Sequence, residues 1–176
     1  LELGGVRAAG AWRTVDISKR QERLRDGTVI NNFRYSYRGE IAAYRLARLL
    51  GIDAVPPVVF RRIRGEDGSL QLWIETAMTQ RQRVRRGVQP PDRIAYKQQL
   101  RTMTLFDNLI ANLDRNQGNS LIDHHWKVWF IDHTRAFFRG RKLHAPDEVV
   151  WVERGVWRRL REVSDGEIHA ALEDAI

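Results

Sequence analysis

The sequence predicts an α+β fold in two small lobes: an antiparallel N-terminal sheet carrying one helix over 1–78, and a minimal, mostly helical part over 79–176. Three observations lead there. Residues up to Ile74 alternate in the order strand, strand, helix, strand, strand. The polar run Gln80-Arg-Gln-Arg-Val-Arg-Arg86, with Gly87 and Pro90-Pro91 after it, breaks that pattern as a linker would. Beyond it the apolar residues recur at helical spacing.

Residues 1–17 read as two short strands around a turn at Gly4-Gly5, a pair that suits either a tight turn or close approach of backbone to a ligand. Residues 18–36 are polar and rich in Arg and Asn, and read as an insertion or long loop. From Arg38 to Leu50, Ile41, Tyr44, Leu46 and Leu49 repeat near a 3.6 period, with Gly51 as the stop. Glu40 falls in the first turn of that helix. Val58–Ile63 and Leu70–Ile74 read as strands joined by a turn at Gly65–Gly68. Asp92 is an N-cap for a helix running to about Leu113. Ser120–Ile122 and Lys127–Ile131 are short strands around Asp123-His-His-Trp126. Residues 153–175 form two amphipathic segments that divide near Ser164-Asp165.

The 176 residues are 43% hydrophobic and 30% charged, which excludes a disordered chain. No apolar run approaches the roughly 18 residues of a membrane span. No targeting segment is legible, so a cytoplasmic location is the expectation. Cysteine is absent, which excludes disulfides, thiolate metal sites and cysteine nucleophiles. The net charge of +8 favours anionic partners such as nucleotides, lipid headgroups or acidic peptides. Neither H-E-x-x-H nor G-x-S-x-G occurs, which argues against zincin and α/β-hydrolase chemistry.

The chemistry concentrates in Asn112-Leu-Asp-Arg-Asn-Gln-Gly-Asn119 and Trp129-Phe-Ile-Asp132. Asp114 is followed five residues later by Asn119, and a second aspartate, Asp132, closes the strand pair after it. Kinase-type phosphoryl transfer uses this set in this order. Asp114 would orient an attacking hydroxyl. Asn119 and Asp132 would offer neutral and anionic oxygens to Mg²⁺ or Mn²⁺. Taken alone, Asp114 to Asn119 is also a turn rich in Asx caps. A carboxylate at the end of the apolar run Trp129-Phe-Ile131 needs a partner or a metal, which favours the catalytic reading. Asp107 and Asn112, polar near the end of an apolar helix, support the same loop. Glu40 is either compensation of the helix dipole or the helix glutamate that pairs with a basic residue on a neighbouring strand.

Together these residues resemble the phosphatidylinositol 3-/4-kinase-like bacterial atypical kinases, with the Golgi casein kinase group and HipA-type kinases as more distant relatives. The resemblance runs through Gly10-Ala-Trp-Arg13, Gly39–Leu46, Val55-Pro-Pro57, Gln71–Glu75, Leu105-Phe-Asp107, Asn112–Arg115, Asn119 and Ile131-Asp-His133. Arg141-Lys-Leu143 and Val150-Trp151 look like a stretch that recurs in an actinobacterial branch. It implies a small protein-kinase-like fold and an ATP- and Mg-dependent phosphotransferase acting on an acceptor hydroxyl. It implies Asp114 as catalytic aspartate and Asn119 and Asp132 as metal ligands. Nucleotide would be held by Gly4, Gly5, Arg13, Glu40 and a hinge at Glu75, Thr76 and Ala77, with Asp107, Asn112 and Arg115 in support. Two positions depart from the family pattern. Arg13 stands where lysine is usual, with Lys19 as a nearby substitute, and His133-Thr134 replaces a pair ending in glycine. These departures open the alternative of a nucleotide-binding pseudokinase without turnover.

His124 and His125 are expected in a turn, as structural or solvent-facing residues rather than a metal site. The cluster Arg81, Arg83, Arg85 and Arg86 reads either as a solvated face or as an attractor for an anionic surface. Aromatic residues are sparse beside it, which makes nucleic acid the weaker partner. A basic adaptor for such surfaces that uses no nucleotide is the remaining reading.

Overall fold

The computed structural model describes residues 2–3, 6–23, 27, 29–76, 78–138, 143 and 145–176. Gly4, Gly5, Ala77, Arg141 and Lys142 lie outside the described residues. The chain is α+β and every strand pairing is antiparallel.

The N-terminal 17 residues supply three complete strands and the start of a fourth rather than two. They are β1 (Glu2–Leu3), β2 (Val6–Arg7), β3 (Gly10–Arg13) and β4, which begins at Asp16. The segment read as a long loop is a hairpin of β4 (Asp16–Arg23) and β5 (Val29–Ser36). Its strands are largely exposed on both faces, so they lack the apolar–polar alternation by which a half-buried strand is recognised. Helix α1 (Tyr37–Leu49) follows directly, with the Ser36 hydroxyl accepting from Arg38 N at 3.1 Å as N-cap. Gly51 takes φ +73° just past its end.

Strands β6 (Val58–Ile63) and β7 (Glu66–Leu72) form a hairpin, and β3 joins β7 to give the order β3-β7-β6. The turn is Arg64-Gly65, not Gly65–Gly68: both residues have positive φ, as a two-residue hairpin turn demands. Gly68 is instead a strand position, where a Cβ would collide with the Arg13 carbonyl oxygen. Strand β7 ends at Leu72, so Trp73–Thr76 leave the sheet.

The linker contains a helix. After β8 (Met78–Thr79), α2 (Gln80–Arg86) starts with a capping box in which Thr79 and Gln82 satisfy each other's backbone, and it ends on Gly87 at φ +65°. It buries no residue, so it has no apolar stripe to signal it. Helix α3 (Arg93–Leu109) is capped by Asp92, whose carboxylate accepts from Ile94 N and Ala95 N. It stops four residues short of Leu113, because Ala111 turns the chain at φ +49°. Strands β9 (Ser120–Ile122) and β10 (Val128–Phe130) pair as expected, and β8 adds to β9. His124 and His125 occupy the turn between them and are exposed. The two C-terminal helices are α4 (Arg154–Glu162) and α5 (Asp165–Leu172).

One buried cluster joins α1 (Ala43, Leu46, Ala47, Leu50), α3 (Leu105, Phe106), Ile110 just beyond it, and β9–β10 (Ile122, Val128, Phe130). Burial of this apolar surface is the main favourable term in the fold, worth about 25 cal/mol per Å². Helix α5 returns to α1, where Arg45 donates to the Ala171 carbonyl and pairs with Asp174. The first helix is thus held from both ends of the chain, and it carries Glu40 into the interior.

Candidate active site

Strand β3 places Arg13 opposite Ser69 of β7, and α1 brings Glu40 beside it. Arg13 Nε lies 3.6 Å from Glu40 Oε1, and Arg13 Nη1 donates to Asp132 Oδ1 at 3.4 Å. A strand residue, a helix residue and a loop residue 119 positions from the first therefore meet at one guanidinium. The helix approaches closely because residue 39 is glycine: a Cβ there would run into the His133 carbonyl oxygen.

The motif loop begins where α3 ends. Asn112 Nδ2 donates to Asp107 Oδ1 at 2.8 Å, and its Oδ1 accepts from Asp114 N. Arg115 grips Asp107 with two bonds of 2.7 and 2.9 Å. Its remaining donors reach the carbonyls of Asn119 (2.5 Å) and Ile131 (2.8 Å) and His133 Nε2 (3.2 Å). One side chain thereby ties the end of α3, the loop and the segment after β10 together. Ile131 N donates to the Asn119 carbonyl at 3.2 Å, so Asn119 and Asp132 are near neighbours across the returning strands. Asn119 Nδ2 is bound to the Asp114 carbonyl, which orients the amide. On the far side of the loop, Arg81 of α2 donates to Asn116.

Asp132 has φ +62°, a left-handed conformation that Asp tolerates better than most residues. The restricted step thus falls on Asp132 and not on Thr134. Thr134 is buried and donates its hydroxyl to Asp132 Oδ1 at 2.8 Å, fixing the carboxylate. Asp114 is held by Arg135, with Nη1 3.2 Å from Oδ1. Arg135 in turn packs on the rings of Phe33 and Tyr35 from β5, at 5.7 and 5.5 Å.

His133 is fully buried between Arg115 and Glu40. Arginine only donates, so Nε2 accepts, and the Nδ1 proton points at Glu40 Oε2, 3.4 Å away. Glu40 is 0% exposed. Burial by itself would raise its pKa; the hydrogen bond from His133 and the charge of Arg13 outweigh that and hold it below the ordinary carboxyl value. Its Oε1 makes an ion pair with Arg13 without a hydrogen bond.

A cavity of about 220 Å³ lies against Arg13. Its walls are Ala11, Gln71 and Leu72 from the sheet, Ile74 and Thr76 after it, and Leu121 and Ile131 opposite. Buried in this region, Gln71 Nε2 and Ser69 Oγ have no hydrogen-bond partner. A largely apolar slot with an unpaired amide of Gln71 beside it suits a flat heteroaromatic ring. Glu75 is exposed, while Thr76 lines the slot.

The donor set suits a hard divalent cation. Asn119 and Asp132 supply oxygens on adjacent chain segments, and Mg²⁺ commonly takes one or two protein oxygens with phosphates and waters completing the shell. Among the described residues, no three His, Cys, Asp or Glu side chains cluster as a metal cage. Lys19 sits apart, on exposed β4, paired with Glu22 at 2.6 Å. Sequence reasoning missed His133 and Arg135 as contributors. His133 entered only as part of the Ile131-Asp-His133 resemblance and the His133-Thr134 departure, with no role of its own, and Arg135 carried no signal beyond its place three residues after Asp132.

No family model matches the chain, and no curated protein matches it. One solved structure to which it is similar is that of a Golgi casein kinase, at 16% identity and a TM-score of 0.48. The match covers 82% of this chain and 54% of that one, so the chain spans about half the length of that structure.

Proposed function

We propose that the protein is an ATP- and Mg²⁺-dependent phosphotransferase that moves the γ-phosphoryl group to an acceptor hydroxyl. The observation that carries this reading is the meeting of Arg13, Glu40 and Asp132, with Asp114 and Asn119 on the loop beside them. Glu40, buried and favoured in its ionised form, pairs with Arg13 in the lining of the 220 Å³ cavity, where phosphates of a nucleotide seated there would meet the guanidinium. Asn119 and Asp132 would hold Mg²⁺, which supplies charge neutralisation to the phosphates when bound. Asp114 accepts the acceptor's proton as its oxygen bonds to phosphorus and the bond to the ADP oxygen breaks. Little else is asked of the protein, because this chemistry is mostly positioning and electrostatics.

The test is Asp114→Asn, assayed by phosphate release from ATP and by autophosphorylation. Turnover should vanish while the Mg-ATP thermal shift persists, and undiminished turnover would refute the role. Asp132→Ala should remove the metal-dependent part of that shift.

A second reading, nucleotide binding without turnover, is favoured by Arg13 itself. It is shared between two carboxylates, and its planar fork meets phosphate differently from a lysine ammonium. Mg-ATP binding with no transfer to water, protein or any offered alcohol decides for it. The phosphatidylinositol 3-/4-kinase-like assignment, the two-lobe division at 78/79 and the hinge role of Glu75, Thr76 and Ala77 belong to the same proposal.

A further inference from the structure

The β4–β5 hairpin has a use that the phosphotransfer reading leaves unassigned. Ser18 pairs with Arg34 in its register. Ser18, Arg20, Asn32 and Arg34 line one face of a cavity of about 520 Å³, which Arg38 of α1 and Phe137 also line.

Its charges are unevenly spent. Asp16, the acidic residue of the lining, lies 3.5 Å from Arg38, and Lys19 is paired with Glu22. Arg20 and Arg34 have no ion-pair or hydrogen-bond partner among the described residues. Both line the same cavity, where like charges repel unless something negative sits between them. Two guanidinium forks can each grip an oxyanion through paired bonds, while the Ser18 hydroxyl and Asn32 amide add neutral donors.

This cleft shares no lining residue with the 220 Å³ cavity. It does share elements with the site. Arg38 lies two residues before Glu40, Phe137 lies five after Asp132, and Ser36 N at the end of β5 donates to the Thr134 carbonyl at 2.9 Å. We infer that the cleft binds a molecule bearing phosphate or carboxylate groups, at a site separate from the Arg13–Asp132 group, bridging the hairpin to α1 and to the segment after Asp132. The inference goes beyond the phosphotransfer reading and does not require it.

The test uses the full chain in Mg²⁺-free buffer at constant ionic strength. Thermal stability is titrated with inorganic pyrophosphate in one arm and with a hexaglutamate peptide in the other, since a ligand of the native state raises the melting temperature. At least one arm should give a saturable shift. The double change Arg20→Ser and Arg34→Ser should weaken that ligand at least tenfold, and Asp132→Ala should leave its affinity unchanged. A response to pyrophosphate alone assigns the site to phosphate, and a response to the peptide alone assigns it to carboxylate. The inference is overturned by no shift in either arm, by a shift that survives the double change, or by one that Asp132→Ala abolishes.

Discussion

Replacing Arg115 with alanine should be among the most damaging single changes available in the site. The guanidinium makes two bonds to Asp107, one to each of two backbone carbonyls, and one to His133. Its side chain is 13% exposed and that of Asp107 10%, so water replaces little of what is lost. After truncation the Asp107 carboxylate keeps only the Asn112 amide, and His133 loses the donor that sets its tautomer. Removing one partner of a buried pair costs about 3–5 kcal/mol, much of it from the charge left behind. For a chain of this size each kcal/mol moves the melting temperature by about 2–4 °C, so a fall on the order of 10 °C is expected. Urea unfolding followed by tryptophan fluorescence measures it directly. Adding Asp107→Asn to Arg115→Ala should recover about 1–2 kcal/mol, because it removes the stranded charge. A loss below about 1 kcal/mol for Arg115→Ala, or strict additivity of the two changes, would show that Arg115 does not organise the loop.

Gly39→Ala should destabilise by about 1–3 kcal/mol, since the new methyl meets the His133 carbonyl and α1 must shift; unchanged urea midpoints would refute this. Glu40 has a folded pKa below its ordinary value of 4.5, so its contribution is complete above about pH 4.5 and is lost as pH falls through the lower folded value. Glu40→Gln should accordingly flatten part of the acid limb of a stability–pH curve between pH 2 and 6, and a limb of unchanged slope would argue against it. Ser164→Ala should cost about 1 kcal/mol by removing the α5 capping box, seen as a lower melting temperature. Glu167, held down at about 2 by the Ser164 backbone, then by Arg159 and the Ser164 hydroxyl, contributes stability above about pH 4.5 that is lost as pH falls toward 2, and Glu167→Gln should remove that dependence.

What the sequence revealed follows from what each residue must do. The strand pair between Asn119 and Asp132 was legible from its two short apolar runs, and a hairpin there brings the segments bearing Asn119 and Asp132 side by side. Helices α1 and α3 announced themselves through buried faces and through the stops and caps at Gly51 and Asp92. The hairpin β4–β5 and helix α2 did not, because neither buries a continuous apolar face and periodicity reports burial rather than backbone shape. A capping box at Thr79 and Gln82 was the available signal for α2, and the Arg-rich composition hid it. His133 was beyond reach for a different reason: its role depends on Arg115 and Glu40, 18 and 93 residues away, and no local pattern encodes that meeting.

The pattern of charges gives the site its logic. Asp107 is matched by Arg115, Asp114 by Arg135, and Asp132 by Arg13, while Glu40 shares Arg13 and accepts a hydrogen bond from His133 Nδ1. These pairs differ in exposure. Asp107 and Glu40 are sealed in, so removal of a partner strands a charge. Asp114 and Asp132 are 40% and 27% exposed, and pairs at that exposure are worth little and exchange readily. The two carboxylates assigned to chemistry are therefore the two that can change partner at low cost. Arg135→Lys should consequently alter turnover more than stability: within about 0.5–1 kcal/mol in urea unfolding, but a changed rate wherever Asp114 must meet an acceptor. A large loss of stability with unaltered kinetics would place Arg135 among the structural arginines instead.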